Sequence, residues 1–355
     1  MNKRQFIVCL SLVSAIAAQD VVLKGQLWGA GTYGNDPAPE YGNATGLLGY
    51  LPMLSLAANN KGSWLIDFEW AGRMAAQYTG APGEDTSTVT VGKNHRLWAR
   101  LSSEKFEIRA GLQKMAFGPG MVLRPLMWYD TLDLRDPTGQ TDGTEALRVR
   151  YFGGDNWSLA GWLNRLNSDF DMASGGRLEL TTPSTEIGLT FHYQAADTNL
   201  FTSQVARFGR QRIAFDLRYD GFIGAWTEIV YGCEAIGPDV DVTQIMIGAD
   251  YTLGIGQGIY VINENLYFKY TGKEWDPVTV SVLMASVPMG FIDQLTAIVQ
   301  YDWDKSRAFN YLRWSRTYDH LSFNVMLGAN PGRSGVEGPL SSFGESIQLM
   351  MIYNH

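Results

Sequence analysis

The sequence predicts an all-β fold: one closed, antiparallel transmembrane β-barrel of about 18 strands (16–18), with short turns at one end and long loops at the other. Three observations carry this. Period-2 alternation of apolar and polar residues recurs along the whole chain. The connections between alternating runs are short and long by turns. After the first 19 residues, no window holds 18 consecutive apolar residues, so a spanning helix is excluded.

Composition narrows the class. Of 355 residues, 45% are hydrophobic, 12% aromatic and only 18% charged, with 39 Gly, 11 Trp and 17 Tyr. This suits many turns and aromatic girdles and suits a helical enzyme poorly. The formal net charge of −8 argues against nucleic acid, whose phosphates need a basic face. Cys9 and Cys233 cannot form a disulfide once a leader is removed, and His95, His192, His320 and His355 are scattered without zinc spacing. No metal and no cofactor are expected.

Residues 1–19 read as a secretory signal peptide. Lys3 and Arg4 form the positive start, Phe6 to Ile16 an apolar run too short to span a bilayer, and Ala15 to Ala18 a small-residue cleavage region. The remainder, 20–355, shows no linker and no change of composition, so one barrel is expected there.

Strands are expected near 21–34, 44–58, 63–78, 91–102, 105–115, 144–153, 157–165, 176–182, 185–195, 211–219, 222–232, 242–253, 259–270, 277–287, 291–303, 307–318, 321–330 and 343–354. The run 63–78 sets the pattern. Trp64, Ile66, Phe68, Trp70, Met74, Ala76 and Tyr78 share one face, with Asp67, Glu69, Arg73 and Gln77 on the other. In a membrane barrel the first face meets lipid; in a soluble sandwich it would be the core, and one strand cannot decide between them. The order of connections favours the barrel: 59–62, 102–104, 153–156, 182–184, 220–221, 288–290 and 319–320 are tight, and the longer stretches fall between them. Two runs have confused facing because of Glu228 and Glu264, and in 307–318 the residues Arg307, Arg313 and Arg316 do not share a face. The last run alternates Ile347, Leu349, Met351 and Tyr353 with Ser346, Gln348 and Asn354, similar to the C-terminal insertion strand of bacterial outer-membrane barrels.

The connection 115–143 is the longest, and it is expected to be a constriction loop. Inward residues on the strands beside it include Arg96, Trp98, Arg100, Glu107, Arg109, Arg148 and Arg150. Neighbouring strands lie about 4.8 Å apart, so these arginines would form a patch on one wall. The loop aspartates Asp130, Asp133, Asp136 and Asp142 could oppose that patch and set a transverse field. Equally, the arginines could pair with Asp67, Glu69 or Glu107, and Asp136-Pro137 and Asp142-Gly143 could be turn formers. Trp98, Trp128 and Trp162 are the candidates for stacking on a solute, since they fall on the polar face or in the long loop.

The run Arg109-Ala110-Gly111-Leu112-Gln113, followed by Phe117-Gly118-Pro119-Gly120 and Leu123-Arg124-Pro125, resembles the strand-to-loop segment of outer-membrane porin-like families that include the alginate-export barrels. The resemblance covers about 20 residues and implies a monomeric channel with an arginine-rich lumen; it implies no particular solute.

The expected function is an outer-membrane porin-like channel of a Gram-negative bacterium, passing small polar or anionic solutes passively. The alternative is a non-conducting outer-membrane barrel acting in surface assembly or adhesion. Expected partners are outer-membrane lipid and lipopolysaccharide, small polar solutes and the barrel-assembly machinery. An enzyme is not expected: no serine or acid motif accompanies His95 or His192.

Overall fold

Strands that bury one face and expose the other need a partner on both edges, and closure of the sheet supplies it. The computed structural model describes residues 20–37, 42–60, 64–80, 87–130, 136–165, 172–194, 210–233, 240–272, 275–331 and 343–355. The expected leader, residues 1–19, lies outside these, as does Asp133.

Eighteen antiparallel strands follow in chain order: β1 (Asp20–Gly34), β2 (Ala44–Asn60), β3 (Trp64–Gly80), β4 (Ser87–Ser102), β5 (Phe106–Gln113), β6 (Thr144–Phe152), β7 (Trp157–Arg165), β8 (Met172–Thr181), β9 (Thr185–Gln194), β10 (Arg210–Asp220), β11 (Gly224–Cys233), β12 (Asp241–Leu253), β13 (Ile259–Thr271), β14 (Val278–Met289), β15 (Asp293–Asp302), β16 (Arg307–Thr317), β17 (Leu321–Ala329) and β18 (Glu345–Asn354). Each pairs with its sequence neighbours, and β1 pairs with both β2 and β18, which closes the barrel. The strand ends joined by the expected short turns lie at one end, together with Asp20 and His355; those joined by the expected long connections, β5 and β6 among them, lie at the other.

Facing follows the alternation. On β7, Leu159 and Leu163 are exposed, while Ser158, Ala160, Trp162 and Asn164 are buried inside. On β9, Leu189, Phe191 and Tyr193 point outward and Thr190 and His192 inward. On β18, Ile347, Leu349, Met351 and Tyr353 are exposed. The apolar faces of 64–80 and 345–354 are therefore outside the barrel, not packed against each other. An apolar outer surface on strand after strand is the pattern of a barrel facing hydrocarbon.

Two irregularities are resolved by what lies inside. Glu228 and Glu264 are inward and fully buried. On β16, Phe309 and Tyr311 border an interior cavity, whereas Arg316 sits at the short-turn end and pairs with Asp293 of β15 at 2.8 Å. The pairing of β3 with β4 shifts register at Ala71/Gly72, so Ala71 faces Arg96 and Gly72 faces Asn94, leaving His95 as the extra residue. Both His95 and Arg96 are buried.

Candidate functional site

The connection between β5 and β6 folds into the barrel and crosses it. It starts with Met115 and Phe117 buried against the inner wall, Phe117 stacking on Trp162 of β7 at 5.0 Å between ring centroids. The chain then reaches the far wall. There Glu228 of β11 accepts the backbone N–H groups of Gly120 and Leu126 at 2.7 and 2.9 Å. Glu264 of β13 accepts those of Met121, Val122 and Leu123 at 2.7, 2.9 and 2.6 Å, and the indole N–H of Trp226 at 3.0 Å. A loop inside a barrel has backbone amides that water cannot reach, and these two carboxylates satisfy five of them. Around them, Met121, Val122 and Leu123 pack against Trp226, Met246, Ile262, Val282, Met284 and Ile298.

The stretch Phe117-Gly118-Pro119-Gly120 is shaped by this contact. Gly118 has φ +76°, and a Cβ there would collide with the Glu228 carboxylate, so the close approach requires glycine. The loop next returns to β9. The Tyr129 hydroxyl lies 2.7 Å from His192 Nδ1 and accepts the Trp162 indole N–H at 3.1 Å. Burial pushes the Tyr129 phenol up to about 12, so it stays protonated and keeps a hydrogen to donate. Past the undescribed residues 131–135, the chain touches β1: Gln26 Nε2 donates to Thr138 O at 3.4 Å, and Gln140 Nε2 to Gln26 Oε1 at 2.5 Å. It leaves along β4, with Arg96 donating to Thr141 O at 2.6 Å and Lys93 to Asp142 at 2.8 Å.

The structure brings the expected arginines together on neighbouring strands. Arg100 of β4, Arg109 of β5 and Arg148 of β6 are direct cross-strand partners in one row, which Asp67 precedes on β3 and Trp162 continues on β7. Most of their charge is met locally. Arg100 lies 2.7 Å from Asp67 and 3.4 Å from Glu107; Arg109 lies 3.4 Å from Glu107 and 4.6 Å above the Trp98 ring. Arg150 pairs with Glu179 and Ser158. Arg148 makes no ion pair among the described residues, and its Nε has no hydrogen-bond partner there. Glu69 receives the Trp98 indole N–H at 3.2 Å rather than an arginine.

The described loop aspartates, Asp130, Asp136 and Asp142, do not face this row, and Asp133 lies outside the described residues. Asp130 is buried within the loop, 2.8 Å from Arg124 and 2.5 Å from the Thr141 hydroxyl. Asp136 accepts from the backbone N–H and the hydroxyl of Thr138 at 2.9 and 2.8 Å, so it shapes a turn. Asp142 is held by Lys93 and lies 4.0 Å from Arg73. Among the tryptophans, Trp162 is only 3% exposed and serves the loop contact. Trp128 stacks obliquely near His192 at 5.6 Å, with Arg212 5.6 Å from its ring.

Sequence reasoning did not single out the loop anchors Glu228 and Glu264, the tyrosine Tyr129, or the buried Arg177, which holds Asp216 through two hydrogen bonds of 2.6 and 2.9 Å. A signal was present for the anchors: each glutamate is in phase with apolar residues, Trp226 and Val230 or Ile262 and Leu266, a place where an unpartnered carboxylate would not be tolerated.

With the loop in place, two spaces open among the described residues at the long-loop end. One, of about 500 Å³, lies between Trp128–Tyr129 and a wall bearing Arg165, His192, Arg210 and Arg212. The other, of about 460 Å³, lies between the Asp136–Thr138 turn and the wall formed by β15–β18 and β1–β3.

No protein-family model matches the chain, and no curated relative matches its sequence. Solved structures do match its fold. OccD3 (OpdP) of Pseudomonas aeruginosa superposes with a TM-score of 0.62 at 9% identity, over 96% of this chain and 92% of that one. Wzi of Escherichia coli, described as an outer-membrane protein involved in group 1 capsule assembly and a carbohydrate-binding β-barrel, gives 0.54 at 11% identity, over 99% and 88%. A loop-deletion form of OmpT, an outer-membrane protein of Vibrio cholerae, gives 0.52 at 9% identity, over 95% and 99%. At such identities the likeness is one of fold: the chain has the fold of an outer-membrane β-barrel.

Proposed function

We propose that this barrel sits in the outer membrane as a porin-like channel, passing small polar or anionic solutes passively through a lumen narrowed by the 114–143 loop and bordered by arginine. The observation that carries the reading is the loop itself. It crosses the lumen and is fixed at the far wall by Glu228 and Glu264, yet spaces of about 500 and 460 Å³ remain on either side of it. A barrel built only to be filled has no need to hold a loop on buried carboxylates beside open space. The anionic preference rests on Arg148, which has no ion-pair partner among the described residues, and on Arg210 and Arg212 beside the space of about 500 Å³. The exposed outer belt fits contact with outer-membrane lipid and lipopolysaccharide, and delivery by a leader and the barrel-assembly machinery belongs to the same proposal. So does the absence of catalysis: His192 is spent on Tyr129.

A second reading has its own support. Three apolar clusters and five backbone hydrogen bonds tie the loop down or line the interior near it, and that suits a non-conducting barrel used in surface assembly or adhesion. Planar-bilayer recording separates the two. Discrete conductance steps from the purified barrel support the channel; silence from protein that shows the heat-dependent gel mobility of a folded barrel supports the scaffold.

A further inference from the structure

The lumen has two chemically different sides. The space of about 500 Å³ is bordered by Arg165, Arg210 and Arg212 with one acid, Glu145; the one of about 460 Å³ is bordered almost wholly by uncharged groups. Among the described residues, only two ionic side chains reach the latter, and both are engaged. Asp136 is occupied by Thr138. Arg73 sits 5.7 Å from the Trp28 ring and 4.0 Å from Asp142. Beside aliphatic side chains such as Ile298 and Met326, the lining offers amides, hydroxyls and rings: Gln77, Gln300 and Gln348, Thr32, and the aromatic residues Phe309 and Tyr311. Gln348 donates to Thr32 at 2.8 Å, whereas the side-chain amides of Gln77 and Gln300 make no hydrogen bond among the described residues.

We propose that this space is a binding site for a short, uncharged, hydroxyl-rich solute, a neutral saccharide in chemical class. A charged solute entering here would give up hydration without meeting an unengaged counter-charge. A sugar exchanges its water hydrogen bonds for those of amides that each offer donors and acceptors, and lays its C–H face on an aromatic ring. The volume falls within the range of about 300–1,000 Å³ usual for small-molecule sites. The location fits solute capture, since every bordering strand contributes its residues from the long-loop end. The site deepens the channel reading and rests on it only for the solute's onward passage.

The test uses the full barrel in lauryldimethylamine oxide micelles, which carry no sugar head group, and saturation-transfer NMR with maltotriose. Transfer to maltotriose at millimolar concentration is expected, with lactobionate, a smaller carboxylate-bearing sugar, failing to compete. Gln300→Ala and Tyr311→Ala are expected to weaken the signal about tenfold, and Arg148→Ala to leave it unchanged. If either alanine variant fails to fold, Gln300→Glu and Tyr311→Phe replace it: the first is expected to abolish binding by adding a charge, the second to keep it by keeping the ring. No transfer to maltotriose, undiminished transfer in Gln300→Ala, Tyr311→Ala or Gln300→Glu, loss in Tyr311→Phe or Arg148→Ala, or displacement by lactobionate overturns the site. The channel reading fails separately: a barrel silent in bilayers that still binds maltotriose loses only the passage, and a conducting barrel that does not bind loses only the site.

Discussion

Glu264 on β13 accepts the backbone N–H of Leu123 at 2.6 Å across 141 residues of sequence, and with Glu228 it fixes the loop to the wall opposite its root. A hydrogen bond to a charged group contributes about 1.5–3 kcal/mol, and losing the acceptor also strands the buried amide. The double variant Glu228→Gln, Glu264→Gln is therefore predicted to free residues 120–126 while leaving the 18-stranded wall intact. Hydrogen exchange of those amides is expected to speed up by about 10- to 100-fold, with strand amides unchanged. Equal protection in both proteins would show that apolar packing alone seats the loop.

The arginine row makes an unequal prediction. Arg100 is met by Asp67 and Glu107, whereas Arg148 has no ion pair among the described residues. Reversing Arg148 to Glu is predicted to move the reversal potential in a salt gradient strongly toward cations, and Arg100→Glu to move it less. Because Arg109 shares Glu107 and leans on Trp98, Arg109→Glu should fall between them. Equal shifts for Arg100 and Arg148 would falsify the idea that local pairing decides which arginine a solute meets.

How far these features were legible in the sequence depends on the range of the interaction. The strands were legible because alternation is local, and a run such as Trp157–Arg165 carries its facing within itself. The inward loop was legible as a long gap, and its arginine surroundings as a phase. Its partners were not, because contact between Gly120 and Glu228 depends on closure of all eighteen strands. The same reason explains the aspartates. Asp130 looks like a free acid in the sequence, and only the fold places Arg124 and Thr141 on it. Trp162 looked available for a solute because its inward phase is correct; that Phe117 covers it cannot be read from phase.

Where the loop rejoins β6, Asp142 supplies a pH-dependent prediction. The hydrogen bond from Lys93, with the charges of Lys93 and Arg73, holds its carboxyl below the usual carboxylate range despite partial burial. A carboxyl depressed in the folded state contributes stability above its unfolded pKa of about 3.9, and loses that contribution as pH falls through the lower folded value. Exchange at residues 141–144 is thus predicted to be insensitive to this group between about pH 5 and 8 and to rise only below about pH 4. Asp142→Asn should show the low-pH exchange at neutral pH. A wild-type transition near pH 6 would place the control in another group.

The rim of short turns is asymmetric in a way that the proposed membrane setting turns into a prediction. The turns following β10, β12 and β14 are successive on that rim and present Phe222, Ile223, Ile255, Phe291 and Ile292, all exposed, with Phe291 at 105%. Phe222 lies on Tyr251 at 5.2 Å, continuous with the outer apolar belt. The turns after β4 and β6 carry Ser103-Glu104-Lys105 and Gly153-Gly154-Asp155-Asn156 instead. Burying one phenylalanine contributes about 1.5–3 kcal/mol, so the barrel gains by sinking the β10–β15 side of this rim deeper into the bilayer. Tryptophan placed at Phe291 is predicted to emit at short wavelength and to be quenched by brominated lipid, and tryptophan at Lys105 to be quenched by aqueous acrylamide. If both positions respond alike to the aqueous quencher, the apolar turns stand in water, and lipid is not what covers them.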